Sequence, residues 1–322
     1  MNLRDHFMPQ LMMRRVLYSL IPVFLFALWQ YGWRLVVLLS IVTIAGILGE
    51  FWVMRLIQGD KVKVTESVLV TCVLYTLTLP PMTPFYIAVL GILFAVIFGK
   101  GIFGGFGRNF FNPALVGRCF VYICFPAALT NEWVAPFSQF PGGFAAFAPN
   151  IDAMVTATPM LAIREGGDVP SLLELVLGTH AGSLGESSAI LIVAAAIYLI
   201  ATKTASWKIM LSTLIGGLGS ATVFQLLGGN VSPLETVLLT GGLLFAAVFM
   251  ATDPISAPKD ETVKVIYGLL IGIFALTIRV FGVFIEGAMF AVLITNALTP
   301  LMERQVKAFR EYRKNKSMEV QA

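Results

Sequence analysis

Two hydroxyls and a carboxylate lie close together in Asp152-Ala-Met-Val-Thr156-Ala157-Thr158-Pro159, within the longest polar connection of an otherwise apolar chain. A residue before proline is steered toward extended or turn backbone. Thr158 is therefore the threonine whose hydroxyl is set to project from the chain. By itself Thr-Ala-Thr-Pro reads first as an ordinary loop. A second polar cluster, Gly178-Thr-His180-Ala-Gly182-Ser183-Leu-Gly185-Glu186-Ser-Ser188, follows in the same connection. It reads either as the wall of a pocket facing Thr158 or as a helix start, because Ser183 and Glu186 have capping-box spacing.

A third stretch runs from Gly99-Lys100-Gly-Ile-Phe103-Gly-Gly-Phe106-Gly-Arg108 to Asn-Phe110-Phe-Asn112-Pro113. It has no Gly-Lys-Ser/Thr and follows no strand, so it is neither a P-loop nor a dinucleotide fingerprint. Its glycines permit close backbone approach, and Phe103, Phe106 and Phe110 could stack on a flat ring. A tight turn explains the run equally well. Asn112 before Pro113 is a helix start, with the asparagine as cap and the proline at the first helical position. Arg118 then falls inside an apolar run, and Glu50 lies near the end of another. Charges at such depth are costly and are usually functional or paired, so Glu50, Arg118 and Asp253 are candidates for an ion route. Glu50 could instead simply face the membrane boundary. Cys72, Cys119 and Cys124 form no Cys-x-x-Cys pair, and His6 and His180 are the only histidines. No metal site is expected, nor a haem held by two histidines.

The elements that must hold these residues are membrane helices. Of 322 residues 57% are hydrophobic and only 12% charged, against roughly 25% charged in soluble domains. The apolar runs divide into about ten spans: Val16–Tyr31, Leu35–Met54, Thr65–Leu79, Phe85–Phe98, Pro113–Leu129, Ser187–Thr202, Ile209–Leu227, Leu234–Met250, Val263–Ile278 and Phe284–Met302. A crossing takes about 20 residues, so the runs from Thr65, Phe85 and Pro113 read as broken or half-crossing helices, with protein covering their exposed backbone. The N-terminal segment reads as basic and polar, leading into a retained helix rather than a cleaved signal. With the N-terminus inside, eighteen of the 22 lysines and arginines fall inside. Arg34, Arg164 and Arg279 fall outside, and Arg118 within a span. The positive-inside rule thus puts both termini in the cytoplasm and Thr158 on the outer face.

The two halves resemble each other. Trp33-Arg34 matches Trp207-Lys208, and Glu66-Ser-Val-Leu-Val-Thr71 matches Glu235-Thr-Val-Leu-Leu-Thr240. Five spans per half make the second half enter upside down, an arrangement that puts a pathway at the repeat interface. The expected fold is all-α: a polytopic membrane protein of about ten transmembrane helices in two inverted five-helix repeats. Repeat one covers about 14–130, an outer loop 131–186, repeat two 187–303 and a cytoplasmic tail 304–322.

Four motifs in order, Arg108-Asn-Phe-Phe-Asn-Pro-Ala-Leu-Val-Gly-Arg118, Asp152…Thr-Ala-Thr-Pro159, Gly182-Ser-Leu-Gly-Glu186 and Ala251-Thr-Asp-Pro254, give the chain a family resemblance. It resembles the family containing the D subunit of the Rnf ion-translocating oxidoreductase and the B subunit of the sodium-pumping NADH:quinone reductase. The likeness runs from about Arg14 to Glu303. It implies FMN joined by a phosphoester to the last threonine of a Ser/Thr-Gly-Ala-Thr stretch. Here that residue is Thr158, in Val155-Thr156-Ala157-Thr158. Such a tether needs an exposed hydroxyl and no unusual acidity, since a flavin transferase activates it. The resemblance also implies a second, non-covalent flavin, riboflavin, whose residues the sequence does not identify.

The resulting expectation is a flavin-carrying subunit of an Rnf-type pump for Na+ or H+, in a bacterial or archaeal cytoplasmic membrane. The long N-terminal extension typical of the B subunit is absent, which favours the D subunit. The chain has no nicotinamide or iron–sulfur site of its own and no catalytic residue acting alone. Its expected partners are other subunits of the redox complex, the flavin transferase and membrane lipid, but no nucleic acid. Asp152, Thr156, Ala157, His180, Ser183 and Glu186 are the residues expected around the flavin on Thr158. The alternative is a passive channel or transporter with a urea-channel-like fold and no redox activity.

Overall fold

The computed structural model describes residues 7–59, 63–130, 133–137, 139–149, 158–160, 162, 170–186, 188–228, 231, 233–282, 284 and 287–321. The apolar runs become helices: α1 (Leu11–Tyr31), α2 (Arg34–Gln58), α3 (Ser67–Leu77), α4 (Phe85–Gly99), α5 (Pro113–Cys124) and the short α6 (Pro126–Thr130). After the long polar connection, with α7 (Leu172–Leu177), come α8 (Ala189–Ala201), α9 (Trp207–Leu226), α10 (Leu234–Val237), α11 (Leu243–Phe245), α12 (Glu261–Phe281) and α13 (Gly287–Gln321). Strand among the described residues is limited to a parallel pair, β1 (Phe7–Met8) on β2 (Val64–Thr65). The chain is an all-α polytopic membrane protein. Five helical stretches have the length and apolarity of a crossing, among them Leu11–Tyr31, Arg34–Gln58 and Glu261–Phe281. Their outer faces leave Leu25, Ile44, Leu48, Leu211 and Ile215 exposed. Around a bundle this apolar, such a surface suits lipid rather than water.

The short helices fall largely where the sequence places them. α3 has 11 residues and α5 has 12. The run from Phe85 differs, because α4 continues through a 3₁₀ turn at Gly101–Phe103 and reaches crossing length. The larger departure is the eighth run, Leu234–Met250, expected as one span. It is broken at Gly241 and Gly242, whose φ of +63° and +67° glycine alone adopts readily. α10 precedes the break. α11 follows it and passes into a π-turn at Ala246–Met250, closed by the Ala251 amide on the Ala246 carbonyl at 2.8 Å.

Helices cross closely where glycine removes side chains. A Cβ on Gly117 of α5 would stand 2.5 Å from the Gly91 carbonyl of α4, and one on Gly272 of α12 2.3 Å from the Thr213 carbonyl of α9. The threonines matched in the two halves' sequences make similar local bonds. Thr71 Oγ1 donates to the Ser67 carbonyl at 3.0 Å and Thr240 Oγ1 to the Thr236 carbonyl at 2.8 Å. Lys100, after α4, reaches the start of α3, and Arg279, near the end of α12, reaches the end of α10.

Gly117→Ala should lower the melting temperature in detergent by an amount equivalent to about 1–3 kcal/mol of overpacking. Gly219→Ala, whose new Cβ meets nothing within 4 Å, should leave it unchanged. Equal melting of the two variants contradicts the packing. For orientation, cysteine at the exposed Gln139, in a cysteine-free background, should react with an impermeant thiol reagent in intact cells. Cysteine at Lys307 should react only after the membrane is opened. The reverse pattern would invert the assigned topology.

Candidate functional site

An open pocket lies at the end of the bundle where α1 meets α2. Three stretches supply most of its lining. The first is Thr158-Pro159-Met160, where the Ala162 amide donates to the Thr158 carbonyl at 2.9 Å. Pro159 thus opens a helical turn, with Thr158 at its start. The second is the Gly178–Glu186 cluster. Gln30 Nε2 donates to the Gly178 carbonyl and Tyr31 Oη to the Gly182 carbonyl at 3.3 Å. The amides of Leu184 and Gly185 donate to the Leu79 and Leu77 carbonyls at 3.2 and 2.7 Å. The cluster thereby caps the broken end of α3 while presenting His180, Ser183 and Glu186 to the pocket. The third stretch is Leu239-Thr240-Gly241 at the break in the eighth run.

The sequence-derived residues Thr158, His180, Ser183 and Glu186 therefore share one pocket. Asp152, Thr156 and Ala157 lie outside the described residues. Ser183 and Glu186 do not form a capping box. That motif is made instead by Ser171 and Glu174 at the start of α7. Glu186 turns to Arg118, with Oε1 3.6 Å from Nη1 and side-chain exposures of 14% and 5%. Ser183 Oγ is fully buried and makes no hydrogen bond among the described residues. Burial pushes the His180 imidazole below the usual histidine value, against the opposing effect of its contact with the Glu174 carbonyl.

Tyr122, Thr130 and Trp133 line the pocket as well, and sequence reasoning passed over them. Tyr122 packs edge-on to Phe284 and Phe290, so at sequence level it is indistinguishable from core. Gly241 and Gly242 were missed for the same reason. Their missing side chains leave room for two opposite charges. A Cβ on Gly241 would stand 2.7 Å from Arg279 Nη2, and one on Gly242 2.3 Å from Glu186 Oε1. Arg279 itself donates to the carbonyls of Val237, Thr240 and Gly241 at 3.1–3.2 Å.

The other candidates lie toward the opposite end. Asp253 accepts from the Ser256 amide and hydroxyl at 3.2 and 2.8 Å. It borders a second cavity with Ser67, Thr71, Lys100, Asn109 and Asn112. Asn112 caps α5 as read, accepting from Ala114 N at 3.0 Å, and its amide donates across the bundle to the Met250 carbonyl at 3.3 Å. Glu50 does not stand alone at a membrane boundary. It is buried and paired with Lys100 at 2.8 Å. Phe103 and Phe110 pack edge-on against each other, 5.3 Å between centroids. Among the described residues no group of three His, Cys, Asp or Glu side chains converges as a metal site would require.

Fold and pocket define a class: an all-α membrane protein with a polar cavity toward each end of its bundle. Comparison supplies the family. A family model described as the NQR2, RnfD, RnfE family matches residues 3–310, and the chain belongs to that family. Similar relatives include the B subunits of the Na(+)-translocating NADH-quinone reductases of Ectopseudomonas mendocina and Azotobacter vinelandii. Each is 36% identical, over 282 and 279 residues respectively. The corresponding B subunit of Klebsiella pneumoniae is 35% identical over 273 residues. The matched regions cover 83%, 83% and 80% of this chain but only 66%, 66% and 63% of those relatives.

His180 generates a pH prediction. Its folded-state pKa lies below the unfolded value, so the folded state resists protonation and loses stability as pH falls through about 6.5. Between pH 7 and 5 the wild-type melting temperature should fall further than that of His180→Gln. Parallel curves would show that His180 is not a buried neutral imidazole.

Proposed function

We propose that this chain is the flavin-carrying membrane subunit of an ion-translocating electron-transport complex, with FMN esterified to Thr158. The observation that carries the reading is the single outer pocket shared by Thr158, His180, Ser183 and Glu186. The pocket suits the group. Tyr122 and Trp133 offer aromatic faces for a flat ring, and the buried Ser183 hydroxyl lacks a partner that a ligand could supply. Arg279 lies behind Gly241, a residue that lines the pocket, and is a positive charge that a phosphate there could draw on. Flavin would supply transfer of one electron at a time, while the protein orients it and tunes its surroundings. The chain's own part is to hold Thr158 at the start of a turn, keep Arg118 neutralised by Glu186, and close the pocket floor with the Gly241-Gly242 break.

A second flavin, riboflavin, is implied by the family resemblance. Electrons would enter and leave through partner subunits, and a flavin transferase would load Thr158. The family likeness supports that assembly. We also propose the inverted arrangement, with repeat one at about 14–130 and repeat two at about 187–303. The sequence reading favours an Rnf-type complex, whereas the relatives named above are quinone-reductase subunits. The partners that co-purify from a bacterial or archaeal cytoplasmic membrane decide between the two.

Thr158→Ala should abolish covalent flavin, while Thr156→Ala should retain at least part of it. Intact mass and in-gel fluorescence read both outcomes. A colourless wild-type chain of unmodified mass would favour a channel without redox activity, and FMN found on Thr156 would move the site.

A further inference from the structure

A second polar centre, which the flavin reading leaves unused, lies where α2, α3 and the end of α4 meet. Lys100 is 2% exposed. Three side-chain oxygens hold its ammonium: Glu50 Oε1 at 2.8 Å, Thr65 Oγ1 at 2.6 Å and Ser67 Oγ at 2.6 Å. The two hydroxyls are 2.8 Å apart, and Thr65 Oγ1 also donates to Glu50 Oε1 at 2.7 Å. The remaining carboxylate oxygen, Glu50 Oε2, is buried and makes no hydrogen bond among the described residues. Hard oxygen donors converging on one positive charge, with a carboxylate among them, are the ligand type of a hard metal cation. Here a tethered ammonium fills the cage.

The cage is not sealed. Lys100 and Ser67 also border the cavity that contains Asp253. A lysine carries a compact charge on a flexible four-carbon stem, so its ammonium has a second carboxylate to turn toward across that cavity. Removing one partner of a buried ion pair leaves an uncompensated charge and is strongly unfavourable. An exchange in which one cation replaces another avoids that state.

We propose that Glu50, Thr65 and Ser67 form a binding site for a small monovalent cation, with sodium the fitting ion, and that Lys100 is its built-in competitor. When the ion enters from the cavity, the ammonium moves toward Asp253. When the ion leaves, the ammonium returns to the cage. In both states one positive charge faces Glu50. The cage takes its purpose from the ion-translocating reading above, but it can be tested without electron transfer.

Equilibrium binding of radioactive sodium to the full chain, purified with whatever complex it forms, measures the site directly. Lys100→Met removes the competitor. It should lower the half-saturating sodium concentration at least tenfold, with potassium a poor competitor, and Lys100→Met/Glu50→Gln should abolish the gain. An affinity unchanged by Lys100→Met, or a gain that survives the double substitution, would overturn the proposal. Should Lys100→Met not accumulate, Thr65→Val and Ser67→Ala keep the ion pair and remove cage ligands. Each should raise the half-saturating concentration several-fold, and no change in either would also overturn it. Flavin mass measured on the same samples separates the two readings. Sodium binding without covalent flavin counts against Thr158 alone, and flavin without sodium binding counts against the cage alone.

Discussion

Backbone polar groups inside a bilayer must find partners within the protein, because lipid supplies none. This chain interrupts its helices repeatedly and so meets that demand with side chains. Arg34 donates to the carbonyls of Pro81, Met82 and Thr83 beyond the end of α3 at 2.5, 3.2 and 2.8 Å. Arg279 does the same for the end of α10. The Leu184 and Gly185 amides close the last carbonyls of α3, and Asn112 joins the start of α5 to the end of the π-turn. Most of the polar architecture around the two cavities can be traced to these broken ends.

The same requirement sorts the buried charges. A helix-centre charge costs about 2.5–3.5 kcal/mol on insertion scales, and each one described here has an identified partner. Arg34 and Arg279 work on carbonyls, which need no counter-ion. Arg118 with Glu186, and Lys100 with Glu50, form two ion pairs on opposite sides of the bundle. The first pair borders the pocket of Thr158. The second borders the cavity of Asp253. Charge is thus concentrated where the helices fail, and the unbroken spans α1, α2, α9 and α12 provide the rigid frame.

The long apolar runs, the short α3 and α5 and the Asn112-Pro113 cap were legible because each rests on local composition or on a one-turn interaction. The grouping of Thr158 with His180, Ser183 and Glu186 was legible in part, since both stretches belong to one connection. What escaped was non-local. Lys100 reads as a loop lysine until α2 and α3 are folded around it, and Glu50 reads as solitary for the same reason. Ser183 and Glu186 have the spacing of a cap, yet Arg118, far away in sequence, takes the carboxylate. The break at Gly241-Gly242 is masked by apolar neighbours, which make Leu234–Met250 look continuous. Only the contacts of Arg279 and Glu186 reveal why two adjacent glycines stand there.

That break imposes an order on biosynthesis. Glu186 leaves the ribosome well before Gly242, but Arg279 emerges nearly forty residues after the carbonyls it must satisfy. When Leu234–Met250 first meets the insertion machinery, nothing is yet available to compensate an opened backbone. An apolar segment in that position is best served by a continuous helix, with every amide bonded internally. Its final shape becomes affordable only once α12 has been delivered beside it. The break in the eighth segment is therefore completed from the penultimate helix, whose Arg279 supplies the donors for its carbonyls.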